Sequence, residues 1–410
     1  MELSKEMIKN SMPNLHLAAV EEKELFIAGD IDYTRPLKEY PTAQTIIEHI
    51  SQNEKTEHIY TKDLNVNGIC IQDSFEKYLG NPAKSSGMFK SALKTPMHYE
   101  FSKDGDKMEL EALQGRKNYF ELGEFLHQAI LEPTKFGRVL VEPKQSLAST
   151  AGVEALTEFW MDVIQEQGFG VDENGEEIPV PQVLEFAVIA TETLKQPLDK
   201  MPGKKTYLAT LKKLSGMEPV TEENFLKIQI LKKHYEAYGD GVLKRLLKHS
   251  KREISMYYTD PGTGFDVKIR PDALQFEENI GCNAIISVKS SGIEDLRAFY
   301  YQAAKLHYDL SEGMYQEVAT AVTGRDFNTT IMVMLQTVAP FAVAILVWSA
   351  EDIEMGKYKY RTALNTVLEC EQKQTFPGYD AFAESGNFGL IQMELPQWNN
   401  KEILPTNIEN

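Results

Sequence analysis

Between Thr329 and Ala350 the chain carries no charged residue. A run of that length must either span a bilayer as a helix or be buried in a folded domain. Three features favour burial: the run is broken at Ala339-Pro340, contains Gln336 and is rich in β-branched residues. Two strands, about Thr329–Val338 and Phe341–Trp348, satisfy this pattern as a buried hairpin-like pair. Arg325 and Asp326 before the run, and Glu351 and Asp352 after it, show no positive-inside bias. No membrane association is expected.

The preceding segments supply the neighbours such strands need. Glu253–Tyr258 alternates like a strand, and Asp260-Pro261-Gly262-Thr263-Gly264 is a turn. Phe265–Arg270 and Asn283–Lys289 are further strands, separated by a turn at Glu277–Gly281. Helices are predicted over Glu294–Leu310 and from about Ala350 to Gln374. With a lysine-rich helix expected over Phe225–His249 before them, the order α, β, β, β, α, β, β, α indicates an α/β fold, a mixed central sheet flanked by helices.

The N-terminal half is more helical. Helices are expected at Ser85–Leu93, stopped by Pro96, and at Tyr119–Leu131, closed by Pro133; Val139-Leu140-Val141 reads as a strand. Residues 150–225 are the least regular stretch and read as a helical insertion within the core. Residues 1–74 form an acidic α/β extension, with a strand at Leu25-Phe26-Ile27-Ala28 and a helix at Ala43–Ile50. The main domain then runs over residues 75–400, followed by a tail over 401–410.

The net charge is −18, adverse for a nucleic-acid partner. Its distribution is uneven. Lys195–Arg252 holds 14 Lys and Arg against 6 Asp and Glu, a local +8 that leaves −26 to the rest. This is either a basic surface on an acidic body or a solvated helical face. Cys70, Cys282 and Cys370 are far apart, which argues against a zinc or iron–sulfur site on grouped cysteines. With no apolar leader among the first residues, a reducing cytoplasm is expected.

One constellation carries chemistry. Asp272 ends a predicted strand, and Ser287 and Lys289 follow on the next, two residues apart and so on one face. Phosphodiester hydrolysis uses such a group: a carboxylate to hold Mg²⁺, and a lysine to serve the attacking oxygen. The spacing alone is weakly specific. Longer blocks add to it: Ser86-Gly87-Met88-Phe89-Lys90 running to Thr95-Pro96-Met97-His98-Tyr99; Leu122-Gly123-Glu124-Phe125-Leu126-His127 through Leu131-Glu132-Pro133; Gly264 through Arg270-Pro271-Asp272; Ile286-Ser287-Val288-Lys289; Tyr301-Gln302-Ala303-Ala304; Pro340-Phe341-Ala342; and Leu395-Pro396-Gln397-Trp398. In this order they resemble the RecE-type exonucleases (exodeoxyribonuclease VIII), phage recombination enzymes of the PD-(D/E)xK superfamily, over roughly residues 75–400.

The resemblance implies a Mg²⁺- or Mn²⁺-dependent 5′–3′ exonuclease resecting double-stranded DNA ends. It also implies a homo-oligomer, with a single-strand-annealing recombinase as a possible partner. Asp272 would be the main metal carboxylate, His127 a metal ligand or its positioner, and the Val288 carbonyl a backbone ligand. Lys289 would serve the attacking water, Gln302 would orient Lys289 or substrate, and Lys90, Lys94 and Arg270 would meet DNA. Taken alone, His127 reads as a helix histidine packed beside Phe120 and Leu126, and Gln302 as a half-buried polar group. Ser287 departs from the pattern, because the family has an acidic residue there and hydroxyl is a poorer Mg²⁺ ligand. The site would then recruit another carboxylate, with Glu253, Glu277 and Glu294 as candidates alongside Glu278 and Asp295, or bind metal weakly. Alternatively the chain is a nuclease-dead DNA-binding or assembly protein. The cysteine pattern argues against the branch of the superfamily that has four grouped cysteines.

Overall fold

The computed structural model describes residues 39–52, 63–103, 118–172, 175–384 and 386–394. The strand expected at residues 25–28, the block at residues 395–398, the side chain of Phe120 and the tail lie outside what is described.

The principal sheet has five strands. Asn283–Ser291 is central, parallel to Phe327–Gln336 on one side and antiparallel to Ala273–Gln275 on the other. Val343–Val347 and Lys251–Arg252 form the edges. The uncharged run is therefore an antiparallel strand pair, as its composition suggests, and no helix among the described residues is long and apolar enough to cross a membrane.

Alternation splits the central strand between two cores. Ala284, Ile286 and Val288 pack with Leu122, Phe125, Leu126 and Ala129 of the helix Asn118–Leu131. Ile285, on the opposite face, packs in the core holding Leu310, Met314 and Val318 of the helix Tyr308–Thr323. Ser287 shares that second face and Lys289 follows it. The helix over 308–323 extends well beyond the expected end at Leu310. Left-handed backbone at His307, with φ +49, breaks the expected segment into Leu296–Lys305 and Tyr308–Thr323. That helix crosses Ala350–Lys373 backbone to backbone. A Cβ on Gly313 would lie 2.5 Å from the Lys357 nitrogen, and one on Gly356 2.0 Å from the Asp309 carbonyl. Only glycine permits this approach.

A second, three-stranded sheet pairs Ser255–Thr259 with Asp266–Ile269 and with Ile69–Ile71. The described part of residues 1–74 is thus built into the fold: Ile69–Ile71 is a sheet edge, and Ile46 and Ile50 join the core of the 118–131 helix. Residues 150–225 are more regular than expected. Helices Thr150–Gln167, Val180–Thr193 and Met201–Ser215 enclose their own core of Leu156, Trp160, Ile164, Val183 and Leu211. The stripe Val153, Leu156, Trp160, Ile164 has helical spacing, and Ser149 caps it by accepting from the Gly152 nitrogen. The parallel pair Val139–Val141 with Glu218–Val220 closes the base of this insertion.

Candidate metal centre

Arg270-Pro271-Asp272 marks the passage from one sheet to the other. The strand Asp266–Ile269 belongs to the small sheet, and Ala273–Gln275, not foreseen from the sequence, enters the large one opposite Ala284–Ile286. Asp272 is therefore set beside the middle of the central strand. Its Oδ2 accepts from the Val288 nitrogen at 2.5 Å, and the Lys289 Nζ lies 3.8 Å away. The N–H and C=O of one strand residue face the same neighbour. The Val288 carbonyl therefore points to the edge where Asp272 sits.

Two more ligand-type groups meet there. His127 places Nδ1 3.7 Å from Asp272 Oδ1. Its helix approaches the strand closely, since a Cβ on Gly123 would lie 2.7 Å from the Ser290 hydroxyl. Arg252 ties the end of that helix down, donating to the Leu131 carbonyl at 3.1 Å and to the Leu247 carbonyl at 3.1 Å. Glu253, the next residue, donates its backbone N–H to the Asp272 carbonyl at 3.1 Å. It does so with left-handed backbone, φ +52, a conformation that costs a non-glycine residue on the order of 1–2 kcal/mol. Such strain is characteristic of functional positions. The ligand atoms of His127, Glu253 and Asp272 all lie within 4.8 Å of one another, and all three are half-buried. One imidazole nitrogen and two carboxylates fit a divalent cation such as Mn²⁺ or Mg²⁺.

Electrostatics support that reading. Burial, with the charge of Asp272 beside it, pushes the Glu253 carboxyl up to about 7, although Arg270 opposes the shift. Burial also works against the Lys289 ammonium, but Asp272, Glu312 and the Tyr308 oxygen outweigh it and hold its pKa above the ordinary value. Lys90 moves the other way. Burial and the charge of Lys289 lower it to about 8 despite Glu312 and Asp309, and its Nζ stands 5.2 Å from the Tyr308 ring centroid.

Several expected residues lie elsewhere. Arg270 does not face solvent: its guanidinium is 7% exposed and bonds Glu253, Asp73 and the Ser255 hydroxyl. A phosphate would have to displace two carboxylates to reach it, so its role is to hold Glu253. Gln302 accepts from the Ser291 hydroxyl at 2.9 Å instead of reaching Lys289. Glu277 is exposed on the short helix Glu277–Ile280 near Asn283, the far end of the central strand. Glu294 is exposed too, Asp295 caps the next helix, and Glu278 pairs with Arg325. Of the five candidate carboxylates only Glu253 joins the group of three. Lys94 is exposed at the end of the helix Ser86–Lys94.

Glu312 was not foreseen from the sequence. Both its oxygens accept from the Ser287 hydroxyl at 2.9 Å, and the residue is 1% exposed. Burial raises its pKa, against Lys289 and the Ser287 bond. The only available signal was a helix continuing past Leu310 with Leu310, Met314 and Val318 at four-residue spacing, which leaves a buried Glu312 indistinguishable from a solvated one.

Residues 223–387 match the family described as a PDDEXK-like domain of unknown function, DUF3799. The chain carries a PDDEXK-like domain. The match spans Glu253, Asp272, Ser287, Lys289 and Glu312, whereas His127 and Lys90 come from the chain before it. It reaches the superfamily and not the RecE-type family. No curated protein matches the chain. Among solved structures, a candidate exonuclease from Eubacterium rectale is 10% identical, with 63% of this chain and 98% of its own covered at a TM-score of 0.30. A second, SSO0001, is 14% identical, with 50% and 83% covered at a TM-score of 0.18. Likenesses this low support no conclusion about the PDDEXK-like domain here.

Proposed function

We propose that the chain is a divalent-cation-dependent deoxyribonuclease. The observation that carries this reading is the convergence of His127, Glu253 and Asp272 within 4.8 Å, with Lys289 beside Asp272, where Glu253, Asp272 and Lys289 belong to the PDDEXK-like match and His127 is supplied by the chain before it. His127, Glu253 and Asp272 would hold the cation, with the Val288 carbonyl on the same edge. When bound, a divalent cation supplies positive charge to the phosphate and acidifies water. Lys289 stays protonated, so it acts as a fixed positive charge that orients the attacking water and balances charge on the phosphoryl oxygens. Water adds to phosphorus and gives up a proton to solvent, the bond to the leaving nucleotide oxygen breaks, and that oxygen takes a proton from solvent. Lys90, beside Lys289, contacts the adjoining phosphate, with Lys94 further along the same helix.

The RecE-type resemblance extends this proposal to 5′–3′ attack on double-stranded ends, to recombination, to Mg²⁺ as the working ion, to a homo-oligomer and to a cytoplasmic setting with an annealing partner. The nuclease-dead alternative rests on the uncharged Ser287. Digestion of 5′-labelled linear and circular duplex with Mg²⁺ or Mn²⁺ separates the two. The nuclease reading expects cation-dependent release of label from linear DNA, lost in Asp272→Asn and reduced by on the order of a hundredfold or more in Lys289→Ala. Wild-type protein that binds duplex but leaves it intact with either cation would favour the alternative.

A further inference from the structure

Glu312 is an acidic group held by a neutral one. Its two oxygens share a single donor, the Ser287 hydroxyl, which has one proton to give. Among the described residues no lysine or arginine forms an ion pair with it, although Lys289 and Lys90 act on it electrostatically and so does Asp272. A buried carboxylate so poorly compensated is costly. Its position is nevertheless rigid: Gly313, the next residue, is clamped against the backbone of Gly356 and Lys357. Ser287 in turn is fixed between Ile286, in the sheet core, and Val288, whose nitrogen holds Asp272. The negative charge is delivered from the helix to the back of a strand hydroxyl that neighbours the cation group.

We propose that Ser287 and Glu312 form one composite acidic position, in which the strand contributes the oxygen facing the site and the helix contributes the charge. Polarised by Glu312, the Ser287 oxygen becomes a better donor toward a divalent cation beside Asp272. Glu312 is thus a positioning residue acting through Ser287, and the inference rests on the divalent-cation reading above.

Mn²⁺ binding to the intact chain, followed by electron paramagnetic resonance and calorimetry without DNA, tests this. Glu312→Gln, nearly isosteric, is expected to weaken Mn²⁺ by about tenfold to a hundredfold, the range for groups that support a metal ligand. Ser287→Asp/Glu312→Ser moves the carboxylate to the strand and is expected to regain most of that affinity. Ser287→Asp alone sets two carboxylates in contact and is expected to lower the melting temperature. The proposal is overturned if Glu312→Gln binds Mn²⁺ like wild type, or if the folded double variant, checked by circular dichroism, binds no better than Glu312→Gln. Should the double variant not fold, Glu312→Asp replaces it: a helix carboxylate must bind Mn²⁺ more tightly than Glu312→Gln, and equal affinity sinks the idea. Asp272→Asn separates the two levels. If it binds like wild type, the cation reading itself fails; if it loses Mn²⁺ while Glu312→Gln does not, only the composite position fails.

Discussion

Glu312 and Glu317 lie on one helix, five residues apart, and both are removed from water, at 1% and 0% exposure. Their surroundings differ in kind. Glu317 pairs with the buried Arg361, which also bonds Asp260 at 2.5 Å, so three charges meet in a sealed network joining two helices and the loop after a strand. Glu312 meets only a hydroxyl and points toward the lysines and aspartate of the candidate centre. A fold that needed only a filled core could place an apolar side chain at either position. The difference indicates that one carboxylate is paired with an arginine to hold helices together and the other is left with no ion-pair partner among the described residues, beside the candidate centre.

The largest effect should come from breaking the sealed network. Arg361→Met strands Glu317 and Asp260 and should cost about 3–5 kcal/mol in urea denaturation, the usual cost of an orphaned buried charge. A loss below about 1 kcal/mol would show that the network contributes little, and the contrast with Glu312 would lose its basis. Glu317→Gln should destabilise by about 1–3 kcal/mol because it leaves the guanidinium under-paired. Glu312→Gln should instead leave stability within about 0.5 kcal/mol or raise it, a gain often seen when a functional charge is removed. Equal losses from the two glutamine variants would make Glu312 an ordinary structural carboxylate.

A smaller effect concerns pH. Lys90 is faced by Glu312, Lys289, Asp309 and Tyr308, and its ammonium loses its proton through about pH 8 where a free lysine holds it to 10.5. Because the lowered value penalises the charged form in the folded state, stability from this group is lowest below pH 8 and recovers toward pH 10.5. Duplex affinity should move oppositely, falling as pH rises through 8 and the cation is lost. Lys90→Arg should flatten that fall by a few-fold in Kd at pH 9, since guanidinium stays charged. An unchanged profile would place Lys90 away from phosphate.

The same contrast explains what could be read in advance. Strands announce themselves through local pattern, so the uncharged run marked two strands of the large sheet, the alternation after Glu253 marked one of the small sheet, and Asp272 could be placed at a strand end. What sequence hides is contact between distant segments. The Ala273–Gln275 strand is too short for a pattern, Glu312 is charged on a helix that looks amphipathic only in part, and Arg270 reads as a basic contact until Asp73 and Glu253 are seen around it. Glu253 could be nominated by proximity in sequence, but its left-handed backbone and its hydrogen bond to the Asp272 carbonyl exist only in three dimensions.

His127 and Asp272 stand 145 positions apart, and the helix that fixes Glu312 is itself clamped by Gly356. A chain emerging from the ribosome therefore exposes its histidine long before the aspartate, and its helix acid before the glycine that seats it. The centre is assembled only once every residue from His127 to Gly356 has been made.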